Sequence, residues 1–96
     1  MPDHTVFART IDSLWLQLSQ ATRNERQLAV SAIESFVEES REAINNQAFT
    51  RAVDDWLASC KLLISDGRDA NQSDVTLFYS ARAGVSRVKL LLGNLS

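Results

Sequence analysis

Apolar residues recur every three or four positions through four successive stretches of this chain, and no other feature constrains the fold as strongly. The first stretch carries Phe7, Ile11, Leu14, Trp15, Leu18 and Ala21; the second carries Leu28, Ala29, Ala32, Ile33, Phe36, Val37 and Ile44. The third carries Phe49, Ala52, Val53, Trp56, Leu57, Cys60, Leu63 and Ile64. In the fourth, Phe78, Ala81, Val85, Val88, Leu92 and Leu95 alternate steps of three and four, the seam of a coiled coil. No stretch shows the two-residue rhythm of a strand. Three glycines and one proline are also too few for the many turns of an all-β fold. The pattern predicts an all-α protein, a four-helix antiparallel bundle. At 96 residues, 45% of them hydrophobic and 23% charged, the chain reads as a single domain, residues 1–96.

The breaks place helices at about 5–22, 25–45, 47–66 and 74–93. In "SDGRDANQSD", Gly67 suits a helix C-terminus and Ser73 an N-cap. A turn is placed at Asn45 and Asn46, because in a continuous helix Phe49 would fall nearly opposite Phe36 at about 100° per residue. At "QATRNERQ", Asn24 followed by Gln27 resembles a capping box. One heptad phase nevertheless runs from Phe7 to Ala32 without Gly or Pro to interrupt it. The alternative is a long first helix, 5–45, with two shorter ones; it would leave apolar surface uncovered and demand a dimer.

Composition removes several classes of function. A net charge of −2 gives no general attraction to phosphate backbones. A single cysteine makes no internal disulfide, so the fold does not require an oxidising compartment. "MPDHTVFARTIDS" lacks the basic and apolar regions of a signal peptide, and "KLLI" and "KLLLGNL" are too short to span a membrane. A cytoplasmic protein is expected.

Catalytic and metal chemistry finds little to work with. One histidine, His4, and one cysteine, Cys60, cannot assemble the usual zinc sets, and no Glu-x-x-His pair is present. Cys60 sits in the middle of the third apolar stripe, as a small hydrophobe would. The serines have no Gly-x-Ser-x-Gly elbow, and the glycines are isolated rather than gathered in a phosphate loop. No cofactor and no small-molecule substrate are expected.

The acidic string "EESRE", with Glu38, Glu39 and Glu42, is the strongest opening for an enzyme. It resembles the first half of the motif of MazG-type nucleotide pyrophosphohydrolases. That resemblance implies carboxylates from two helices holding Mg²⁺ against a nucleoside triphosphate. It covers five residues; where the family has ExxD, this chain has "RAVD", Arg51 to Asp54, with Arg in place of the acid and a shorter spacing. On a helical wheel Glu38 lies opposite Phe36, with Glu34 and Arg41 beside it, which is also the pattern of a solvated face.

Surface residues point instead to contact with other proteins. Leu16 lies half a turn from the first stripe with Trp15 at its edge; Leu90 lies opposite the last seam with Tyr79 on the same side. Such positions serve an interface, where aromatic residues are enriched, or a helix buried on two sides. Charge is divided: residues 27–60 hold six acids and two bases, whereas residues 75–96 hold Arg82, Arg87 and Lys89 and no acid. With Phe78 at heptad position a, Arg82 and Lys89 both take position e, where charges choose a partner helix. They face the acids of the second or third helix, those of a second copy, or an acidic partner; Arg87 points outward. Three cations without an aromatic stacking platform are a thin basis for nucleic acid, the remaining alternative. The expectation is a non-catalytic, self-associating regulator, adaptor, chaperone or inhibitor that binds a protein partner through Trp15, Leu16, Tyr79, Arg82, Lys89 and Leu90.

Overall fold

In a computed structural model, which describes residues 4–64 and 74–95, the chain forms four helices. They are α1 (His4–Gln20), α2 (Arg26–Ala43), α3 (Gln47–Leu62) and α4 (Asp74–Leu95), with no strand among the described residues. Each helix packs on two others, so that α1, α2, α3 and α4 close into a ring. Contacts between elements show that neighbours run antiparallel. Across α2 and α3, Arg41 meets Asp54 while Glu34 meets Lys61; across α1 and α4, Asp12 meets Lys89 while Trp15 meets Phe78. The expected four-helix antiparallel bundle is the fold.

The chain turns between α1 and α2, so the single long helix from 5 to 45 does not form. The turn is closed by Thr22 and Glu25 rather than by Asn24 and Gln27. Glu25 and Arg26 donate their backbone N–H groups to the Thr22 carbonyl, at 2.9 and 3.1 Å, and the Glu25 carboxylate accepts the Thr22 N–H at 3.0 Å. These bonds fold residues 22–25 back on themselves before the helix starts. The expected turn at Asn45 and Asn46 forms. Asn46 is extended and its side chain caps α3, accepting the Phe49 N–H at 3.0 Å. At the far end, α3 tightens through i→i−3 bonds from Leu63 and Ile64 and stops at Leu62, four residues short of expectation. Gly67 and Ser73 lie outside the described residues.

The core is a continuous column of Ile11, Leu18, Ile33, Val37, Phe49, Val53, Trp56, Val88 and Leu92, joined at one end by an edge-on pair of Phe7 and Phe36 with ring centroids 5.7 Å apart. Burying an aliphatic or aromatic side chain of this size stabilises the fold by about 1.5–3 kcal/mol. Ser40 is the polar exception in the column; its Oγ donates to the Val37 carbonyl at 3.0 Å, so its burial leaves no unmet donor.

Two stripes keep most of their expected positions, with Ala29, Ile33, Phe36, Val37 and the C-cap Ile44 buried along α2 and Ala81, Val85, Val88 and Leu92 in α4, but each departs at its start. In α2, Leu28 is 73% exposed and Val30 is buried in its place. The turn at 22–25 resets the helix's starting phase, and the heptad carried over from α1 no longer applies. In α4, Leu77 is buried while Phe78 is half-buried, so the seam runs Leu77, Ala81, Val85, Val88 and Leu92. That helix is covered on one side by α3, whose Trp56 lies against Gly84, and on the other by α1, whose Trp15 meets Phe78. Two neighbours at different angles widen and rotate the buried arc. Ile64, assigned to the core, is 36% exposed, and the Leu95 side chain lies outside the described set.

Candidate functional site

Because α4 faces both α1 and α3, its e-position side is left at the mouth of the α1–α4 seam. Asp12, Trp15 and Ser19 project from α1 at steps of three and four. Val75, Phe78, Tyr79, Arg82, Val85, Ser86, Lys89 and Leu90 project from α4 along four turns, and these residues line an open groove of about 1040 Å³. Val85 is buried and Phe78 half-buried, giving the groove an apolar floor. Trp15 stands edge-on to Phe78, with centroids 6.0 Å apart and planes at 69°, and the Arg26 guanidinium covers the Phe78 ring at 5.2 Å. The floor is thus held by contacts from α1 and α2.

The rim is different in kind. Val75, Tyr79 and Leu90 are 67, 70 and 67% exposed, large apolar surfaces ranged on one face of one helix. Lys89 Nζ donates to both carboxylate oxygens of Asp12, at 2.9 and 3.0 Å, across the groove's width. An ion pair this exposed contributes between zero and about 1 kcal/mol, so its value lies in fixing where the two charges stand. Arg82, midway along the groove, forms no ion pair among the described residues.

The structure gathers Trp15, Tyr79, Arg82, Lys89 and Leu90 at this one groove; Leu16 is exposed on α1 but does not line it. Sequence reasoning missed Asp12, Ser19, Val75, Phe78, Val85 and Ser86 as lining residues. Val75 was within reach, one turn before Tyr79 on the same face; Asp12 was not, because nothing local ties it to Lys89, 77 positions away. The expected partners of the basic residues also change. Lys89 meets Asp12 of α1 rather than an acid of α2 or α3, since position e lies on the α1 side. Arg87 is exposed as expected, and from there it reaches Asp55 of α3 at 3.8 Å.

On the opposite side of the bundle, Glu38, Glu39 and Glu42 are exposed, while Glu34 and Asp54 are engaged by Lys61 and Arg41 at 3.7 and 3.1 Å. Among the described residues no three His, Cys, Asp or Glu side chains are grouped to hold a metal ion. Cys60 is fully buried, and desolvation pushes its thiol up to about 12, far from the thiolate that a nucleophile needs. Among the described residues no helix is long and apolar enough to cross a membrane. No family model, curated protein or solved structure matches this chain.

Proposed function

We propose that this protein works by protein–protein contact, as a small non-catalytic bundle of the regulator or adaptor kind, with the α1–α4 groove as its docking face. The observation that carries the reading is the row of Val75, Tyr79 and Leu90, three large apolar side chains left in solvent along one edge of a groove with an apolar floor. Single exposed leucines are ordinary on a protein surface, but an aligned apolar row beside a concave wall suits an interface core. Trp and Tyr at its two walls add residue types that anchor interfaces.

Site-specific photocrosslinking in cells of the native host tests this. A benzophenone side chain at position 79 or 90 is expected to give discrete protein adducts, and the same group at position 39 or 51, on α2 and α3, to give none. Absence of adducts at 79 and 90, or equal adducts at all four positions, overturns the proposal.

A further inference from the structure

We infer that the occupant of the α1–α4 groove is an acidic amphipathic helix from another protein, about four turns long, seated with a carboxylate against Arg82. This rests on the docking role proposed above and adds the chemistry of the partner. Among the described residues no strand edge is offered for a partner to extend, and a groove walled by two helices suits helix-in-groove docking. The lining from Val75 to Leu90 spans 16 residues of α4, whose 15 steps of about 1.5 Å cover roughly 22 Å, the length of a four-turn helix.

Charge selects the kind of helix. Lys89 is already satisfied by Asp12, so the groove's unmatched charge is the Arg82 guanidinium at its centre. A docked helix covers that cation and must supply an acid to it.

The same charge argues against a second copy of this chain. Arg82 lies midway between Val75 and Leu90, so two copies joined by this face about a two-fold axis would set Arg82 against its own twin. A head-to-tail pairing onto the acid-rich outward face of α2 would meet Glu38, Glu39 and Glu42, but Leu28 alone offers a large exposed apolar side chain there. That face cannot fill an apolar groove four turns long.

The test uses the full chain and two fluorescent synthetic peptides, each an amphipathic helix of about 16 residues with the same leucine stripe. One carries glutamates beside the middle of the stripe, the other lysines, and binding is followed by anisotropy. The net charge of −2 on this protein would by itself favour the basic peptide, so the expected result runs against bulk charge. The acidic peptide should bind roughly tenfold more tightly, and Arg82→Glu should reverse the order while Arg51→Glu, a charge change on α3, leaves it intact. Far-UV circular dichroism checks that both variants remain folded.

Equal binding of the two peptides, or none up to about 1 mM, overturns the acidic-helix inference. The docking role survives that result if crosslinks at positions 79 and 90 persist, and falls if they do not. Two further results also overturn the inference. One is a dimer in sedimentation that Tyr79→Glu dissolves, which makes a second copy the occupant. The other is binding to RNA or anionic vesicles that Arg82→Glu abolishes while neither peptide binds.

Discussion

Trp56 shows how one residue sets terms for its neighbours. The indole is fully buried, and its Nε1–H meets no acceptor among the described residues, a cost of about 1–3 kcal/mol. Truncating a buried Trp typically loses about 3–5 kcal/mol, so packing of the ring outweighs the orphan donor. That packing depends on Gly84. A methyl group there would stand 3.2 Å from the Trp56 Cβ and Cδ1 and 3.3 Å from its Cα, atoms too close to the backbone of α3 to swing away. Gly84→Ala therefore sets an overpacking cost of about 1–3 kcal/mol against a helix-propensity gain of nearly 1 kcal/mol. The net expectation is a loss of about 1 kcal/mol in urea unfolding. Gly93→Ala, with nothing within 4 Å of the new methyl, should gain about 0.5 kcal/mol. Equal effects at the two glycines would mean that the α3–α4 contact is not tight.

Cys60, one turn along from Trp56, makes a pH prediction. Its folded thiol is raised from 9.0 to about 12, so the unfolded chain releases this proton first. Its contribution is whole below pH 9 and is lost as pH rises from there towards 12. The slope in that window is about 1.4 kcal/mol per pH unit. Unfolding measured at successive alkaline pH values should fall less steeply in Cys60→Ala than in the parent, and parallel curves would rule out a buried neutral thiol.

At the scale of the helices, the ends are built with unequal strength. Asn46 caps α3 from a partly buried position, and Asn46→Ala should cost about 1 kcal/mol, read as a lower denaturation midpoint with an unchanged slope. Glu25 holds the α1–α2 turn from full exposure. Its hydrogen bonds to Thr22 lower the carboxyl's pKa, so its support is present above the ordinary carboxylate range and fades as pH falls through the lowered value. The turn at Asn45 and Asn46 was legible in the sequence because a continuous helix would have set Phe49 opposite Phe36, whereas the Asn46 cap itself was not read. The existence and order of the four helices were legible for a similar reason, since each stripe is a property of its own segment. Helix phase was less so. Leu28 kept the heptad of α1 on paper, but phase does not survive a turn, and Val30 took the buried place. Leu77 displaced Phe78 because α4 packs against two helices, and the angle between them is a property of the assembled bundle. The groove divides along the same line: its α4 wall could be read from the e positions, whereas on its α1 wall only Trp15 was legible and Asp12 and Ser19 needed the fold.

Across the whole molecule, the surface falls into two faces with different logic. The α2–α3 side pairs two of its cations with its own acids, Arg41 with Asp54 and Lys61 with Glu34. The α1–α4 side leaves apolar area and Arg82 uncovered. A residue kept in solvent for contact should be nearly neutral to folding, whereas a residue of the bundle should not, and this separates the two roles within the groove itself. Tyr79 and Leu90 are mostly exposed, so Tyr79→Ser and Leu90→Gln should each change stability by no more than about 0.5 kcal/mol. Trp15 is half-buried and packs on the Phe78 ring; Trp15→Ala should cost about 2 kcal/mol, roughly half the loss of a fully buried aromatic. Thermal and urea unfolding of the three variants measures this directly. Comparable losses at all three positions would mean that Tyr79 and Leu90 hold the bundle together, and their exposure would no longer argue for a partner. Neutral Tyr79 and Leu90 beside a costly Trp15 would identify a rigid wall carrying a free edge, the arrangement on which a docked helix depends.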